Sequence, residues 1–264
     1  MTALSDGLAA ARAEGRAALI GYLPVGYPSV DVSIEAMRAM VAGGVDVVEV
    51  GVPYSDPVMD GPTIQAAADP AVRAGVGLPD ALRAVAAVAD AGAAAVVMSY
   101  WNPIEHFGVE RFAAELAAAA GSGAITPDLI PDEAQTWLAA TDIHGLDRIF
   151  LVAPSSTDAR VAATAGACRG FVYAASTMGV TGAREAVGAT AQRLVARVRK
   201  LAPDVAVCVG LGVSSGAQAG EVAAFADGVI VGSAFVRRLL DSPDATGVES
   251  VRAFAQELAT GVRR

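Results

Sequence analysis

Two carboxylates eleven positions apart, Glu49 and Asp60, stand in the run Val48-Glu49-Val50-Gly51-Val52-Pro53-Tyr54-Ser55-Asp56-Pro57-Val58-Met59-Asp60-Gly61-Pro62-Thr63-Ile64-Gln65. Glu49 lies inside a valine-rich, otherwise apolar stretch, where an ionised carboxyl without a partner costs on the order of several kcal/mol. Burial of that kind favours the neutral form, which makes Glu49 a candidate working acid or base. Asp60, before Gly61-Pro62, is ordinary turn chemistry when taken alone, and gains weight only beside Glu49. The segment Gly51 to Pro62 is long for a strand-to-helix connection and is punctuated by Pro53, Pro57 and Pro62, in the manner of binding loops and lids.

A second set of residues has the chemistry of an anion site. Gly179-Val180-Thr181-Gly182, Gly210-Leu211-Gly212-Val213-Ser214 and Gly232-Ser233 follow successive apolar runs, the last at the start of a short helix. Backbone amides freed of Cβ crowding, with a helix N-terminus behind them, hold negatively charged groups. A phosphate-bearing ligand is expected, which argues against reading the two carboxylates as a glycosidase pair.

The elements that must position these residues repeat along the chain. Short β-branched runs are predicted at Ala18–Pro24, Asp46–Val52, Ala94–Tyr100, Gly123–Pro127, Arg148–Ala153, Gly170–Ala174, Val205–Gly210 and Gly228–Val231. Helices are predicted at Val30–Ala42, Gly61–Ala74, Leu78–Ala91, Val109–Ala120, Pro131–Ala140, Asp158–Ala163, Ala183–Leu201, Ser215–Ala224 and Val248–Leu258. Ser29 and Ser215 suit N-caps, Pro131 a first turn, and Gly43-Gly44 a helix end. About eight strands alternating with helices predict a (β/α)8 TIM barrel, an α/β fold whose active site sits at the C-terminal ends of its strands. Glu49, Tyr100, Asn102, Asp128 and Tyr173 all fall there. One domain is expected over residues 1–264, with an extra N-terminal helix within 1–15 capping the barrel bottom.

Composition narrows the class. A net charge of −9 over 264 residues leaves no basic stripe for nucleic acid. Hydrophobic content is 54%, but charged residues such as Asp80, Arg83 and Asp90 interrupt the apolar runs before they reach membrane-spanning length. No secretory or transit segment opens the sequence, so a cytoplasmic location is expected. Cys168 and Cys208 lack metal or redox spacing and read as free, buried thiols, and His106 and His144 have no companions at ligand spacing, so no metal is expected.

The motifs from Val48 to Gln65, Tyr100-x-Asn102-Pro103-Ile104, Pro127-Asp128-Leu129, Gly170-Phe171-Val172-Tyr173, Gly179-Val180-Thr181-Gly182 and Val231-Gly232-Ser233, in that order, resemble the tryptophan synthase alpha chain family. The resemblance covers essentially the whole chain. It implies a lyase that cleaves indole-3-glycerol phosphate to indole and glyceraldehyde 3-phosphate, with Glu49 as acid and base and Asp60 holding the indole N–H. It further implies that Tyr22, Tyr100, Tyr173 and Thr181 bind substrate, that Gly182, Gly212, Gly232 and Ser233 bind its phosphate, and that Asp56 and Pro57 face a partner. That partner is a beta chain carrying pyridoxal phosphate, in an α2β2 assembly, while this chain needs no cofactor of its own. Two alternatives stay open: a subunit that mainly binds and regulates the beta chain, and a stand-alone lyase that releases indole.

Overall fold

The computed structural model describes residues 2–175 and 184–263. Among these, nine parallel strand segments form one sheet: β1 Ala18–Pro24, β2 Val47–Gly51, β3 Ala94–Met98, β4 Gly123–Ile125, β5 Asp147–Ile149, β6 Leu151–Val152, β7 Phe171–Ala175, β8 Ala206–Gly210 and β9 Gly228–Val231. Their spatial order is β5-β4-β3-β2-β1-β9-β8-β7-β6. The two outermost segments are consecutive in the chain, so the sheet curls into a nearly closed barrel.

Nine segments stand where the sequence predicts eight runs because the fifth breaks at Phe150. β5 pairs with β4 and β6 with β7, while the Arg148 carbonyl in β5 also accepts Arg169 N–H, just before β7, at 2.9 Å. The Phe150 N–H reaches the Cys168 sulfur at 3.4 Å, while its carbonyl still accepts from Tyr173 N–H at 3.1 Å. Cys168 therefore serves the seam. Both cysteines are free and buried, and burial pushes the Cys168 thiol up to about 12.

The strands are buried on both faces, as parallel strands under helices must be, which explains their nearly unbroken apolar character. Alternate residues divide the core in two. Ile20, Val47, Val96, Ile125, Ile149 and Phe171 fill the barrel interior, and Leu19, Val48, Val97, Ala124 and Val172 meet the helices outside. Leu4, on the helix Ala3–Ala13, is fully buried in the interior group and closes the bottom. That helix is tied down by Leu4 N–H to Ser122 Oγ at 3.2 Å and by the Thr2 hydroxyl, which donates to Asp147.

Around the barrel run the helices Val30–Ala42, Pro62–Arg73, Leu78–Asp90, Val109–Ala118, Asp158–Ala167, Arg184–Leu201, Gly216–Ala223 and Ala245–Gly261. Ser29 and Ser215 cap as expected, accepting from Val32 N–H and Gln218 N–H at 3.3 Å each. Two expectations are corrected. Pro131–Glu133 is a single 3-10 turn, and the α-helix that follows is Gln135–His144. A helix at Trp101–Phe107, with Pro103 in its first turn, is not anticipated by the sequence pattern.

Candidate active site

Glu49 sits in the middle of β2, fully buried, in register with Tyr22 on β1. The alternation that sends Val48 and Val50 outward sends Glu49 into the barrel above Val47. Neither carboxyl oxygen has a hydrogen-bond partner among the described residues. Loss of water is the sole cause acting on it, and it pushes the Glu49 carboxyl up to about 8. The acid is therefore neutral at physiological pH and holds a proton that no described neighbour claims.

Tyr22 and Tyr173 stand around it at the mouth. A Cβ at Gly51 would lie 2.5 Å from the Tyr22 hydroxyl, so only glycine leaves room for that ring against β2. Burial raises both phenols well above their ordinary range, and the negative charge of Asp60 and Glu49 adds to it at Tyr22. These rings stay protonated and bound the site as polar-edged walls.

Asp60 arrives on the loop between β2 and the helix Pro62–Arg73. Tyr100, just past β3, holds that loop by two bonds: its hydroxyl accepts Met59 N–H at 2.9 Å and donates to Asp60 Oδ1 at 3.5 Å. The ring of Tyr54 lies 5.1 Å from that of Tyr100, and its hydroxyl accepts from Asn102 Nδ2 at 3.3 Å. Gln65 Nε2 anchors the Asp60 carbonyl at 2.6 Å. Burial raises the Asp60 carboxyl above its usual value, and the Tyr100 hydroxyl works against that rise. Asp128, another strand-end carboxylate, has a structural role instead, accepting Trp101 N–H at 2.9 Å at the start of the unanticipated helix.

Two of the three expected glycine sites meet the carboxylates in one cavity of about 450 Å³, lined by Tyr22, Glu49, Asp60, Tyr173, Gly212, Gly232 and Ser233 among others. Gly212 adopts a left-handed φ of 65° after β8. Gly232 precedes the helix Ser233–Asp241, whose start has no side-chain cap and lies at the cavity wall, where the positive end of a helix favours an anion. Thr181 and Gly182 lie outside the described residues. Asp56 and Pro57 do not line the cavity; they lie in the same loop as Val58 and Met59, which are 78% and 46% exposed.

Met98, Ile64 and Ile230 also line the cavity and are not singled out by the sequence motifs. Met98 and Ile230 are recoverable, being the next inward positions after Val96 on β3 and Gly228 on β9. A larger cavity of about 640 Å³ opens at the opposite end of the barrel, beside the N-terminal helix. Two of its charged groups hold strands: Asp227 accepts Val207 N–H at 2.9 Å and pairs with Arg199 at 3.1 Å. Likewise Arg16 grips Asp46 through two bonds of 2.6 and 2.8 Å.

A buried neutral acid, a second carboxylate across the cavity and an anion cradle form a set able to protonate a ring, stabilise the resulting cation and hold a phosphate. Residues 8–263 match the sequence profile of the family described as Tryptophan synthase alpha chain. A protein of that name from Thermobifida fusca is 65% identical over 266 residues, covering 100% of this chain and 98% of the relative. Another from Mycobacteroides abscessus is 64% identical over 253 residues, 96% of this chain and 94% of the relative. Among solved structures, a Mycobacterium tuberculosis tryptophan synthase chain superposes with a TM-score of 0.92 at 58% identity, covering 100% of this chain and 99% of that one. A Legionella pneumophila tryptophan synthase subunit alpha gives 0.89 at 27% identity, covering 99% and 98%. Agreement over the full length, in residues and in backbone alike, means that the chain belongs to the tryptophan synthase alpha chain family.

Proposed function

We propose that this chain cleaves indole-3-glycerol phosphate to indole and glyceraldehyde 3-phosphate by a retro-aldol reaction, in tryptophan biosynthesis. The observation that carries the reading is a fully buried Glu49, without a hydrogen-bond partner among the described residues, sharing one cavity with Gly212, Gly232 and Ser233. The indole carbon bearing the side chain is a poor leaving group until it is protonated. Glu49 delivers that proton to the ring face, and the indole nitrogen takes up positive charge. Asp60 accepts the indole N–H and stabilises the cation. The carboxylate left on Glu49 then removes the proton from the glycerol hydroxyl as the carbon–carbon bond breaks, which releases the aldehyde and regenerates the acid. Tyr22, Tyr100, Tyr173 and Thr181 bound the organic part of the substrate, and Gly182, Gly212, Gly232 and Ser233 receive its phosphate.

The chain works as one domain in the cytoplasm without a cofactor of its own. Its partner is a beta chain that carries pyridoxal phosphate, joined in an α2β2 assembly through the loop of Asp56 and Pro57. The exposed apolar side chains of Val58, Met59 and Ile130 support a protein partner at this end of the barrel. That same exposure favours, as second reading, a subunit that serves mainly to regulate the partner.

The deciding measurement follows glyceraldehyde 3-phosphate release from indole-3-glycerol phosphate in a chelated, metal-free buffer. Wild type is expected to turn over, and Glu49→Gln to lose roughly 10²- to 10⁴-fold in kcat. Full turnover by Glu49→Gln would remove the assigned role. Stimulation of the beta chain by Glu49→Gln protein without any cleavage by wild type would favour the regulatory reading.

A further inference from the structure

Among the described residues the anion cradle is built without a cation. No Lys or Arg is among those that line the cavity, which include the two carboxylates Glu49 and Asp60. The whole chain carries a net charge of −9. A phosphate dianion entering such a mouth meets backbone amides and a helix dipole, beside the carboxyl of Asp60 and in a chain of net negative charge.

Arg237 lies one turn beyond Ser233 on the helix Ser233–Asp241. Its Nη2 donates to Thr63 Oγ1 at 2.9 Å, and Thr63 lines the cavity three positions after Asp60. The guanidinium is thus fastened to the wall between the carboxylate loop and the phosphate helix. It is exposed and has no carboxylate partner among the described residues. Four of its five N–H groups remain outside that bond. The adjacent Arg238 is engaged elsewhere, donating to Ala234 O at 2.7 Å and lying 3.4 Å from the centre of the Phe254 ring.

We propose that Arg237 supplies positive charge to the described part of the cradle, and that it sets the preference of this site for a phosphorylated over an unphosphorylated ligand. This rests on the reading of the cavity as the indole-3-glycerol phosphate site. Arg237 acts on capture and retention of the phosphate from the rim, without contact with the atoms that react. Its removal therefore raises KM and leaves kcat alone, and part of the salt sensitivity of kcat/KM disappears with it.

The test compares wild type, Arg237→Gln and Arg237→Lys, alone and with the beta chain, at low and high sodium chloride. KM and kcat for indole-3-glycerol phosphate are measured with affinities for inorganic phosphate and for indole, the phosphate-free probe. Arg237→Gln is expected to raise KM and weaken phosphate binding by roughly tenfold, with kcat and indole affinity within about twofold of wild type and a flatter salt dependence. Arg237→Lys is expected to recover most of the loss. Unchanged KM, phosphate affinity and salt slope in Arg237→Gln would overturn the proposal, as would an equal loss of indole affinity. Should wild type fail to cleave the substrate, the proposed reaction falls. The phosphate affinities then still decide on Arg237: a weaker one in Arg237→Gln supports its role, and equal ones end it.

Discussion

The Glu49 carboxyl, with its titration pushed up to about 8 by burial alone, keeps its proton across the neutral range, while in the unfolded chain it ionises near its ordinary 4.5. Between those values the folded state binds a proton that the unfolded state releases. Stability therefore falls as pH rises through this window, at up to about 1.4 kcal/mol per pH unit from this group, and levels off above it. Glu49→Gln removes the titration, so the difference in urea midpoint between variant and wild type should widen from pH 5 to pH 8 in favour of the variant. A constant difference across that range would contradict a neutral Glu49. In the proposed reaction the same proton goes to the indole ring, so wild-type cleavage should decline above about pH 8. Glu49 was legible in the sequence because a charge in a valine run has no structural excuse. Asp60 became legible only as its companion. The positions of Thr63 and Arg237, 174 residues apart, could not be paired without the fold.

At the scale of elements, the loop that carries Asp60 is held chiefly from the segment after β3. Tyr100 reaches both Met59 N–H and the Asp60 carboxylate, across 41 and 40 positions of sequence. Tyr100→Phe removes both bonds and keeps the ring. Its expected effect is a roughly tenfold fall in kcat/KM through misplacement of Asp60, with a stability loss of no more than about 1.5 kcal/mol, read by steady-state kinetics and urea unfolding. Equal kinetics would mean that Gln65 and Tyr54 suffice to hold the loop. The strands were readable because burial on both faces demands uninterrupted apolar runs. The interruption at Phe150 was not, since nothing in three apolar residues marks an N–H that turns to the Cys168 sulfur. The helix Trp101–Phe107 was hidden for a related reason: its start is stabilised by Asp128, 27 residues away, which no local pattern records.

On the scale of the whole molecule, the two ends of the barrel have separate work. The mouth collects the carboxyl groups of Glu49 and Asp60 with Gly212, Gly232 and Ser233, and the bottom is closed by Leu4 and by strand-clamping pairs such as Arg16 with Asp46. Leu4→Ala leaves a void under the interior residues and should cost about 3 kcal/mol in urea unfolding, with cleavage at the mouth little changed. Loss of activity in a variant that stays folded would show that the two ends are coupled. The barrel and its N-terminal cap could be anticipated because the strand–helix alternation repeats from end to end. Which helix faces which depended on contacts that the alternation leaves free.

The fifth apolar run closes the ring, because one stretch of chain serves the neighbours on both sides. It is bonded on both sides: β5 pairs with β4 and β6 with β7, and the carbonyls of Arg148 and Phe150 accept Arg169 N–H at 2.9 Å and Tyr173 N–H at 3.1 Å on the β7 side. A circular permutant with new termini at Phe150, its native ends joined by a flexible linker, cuts the stretch that serves both neighbours, frays two strand edges at once, and should self-associate on size-exclusion chromatography. New termini at the exposed Pro203-Asp204 turn should leave a monodisperse protein.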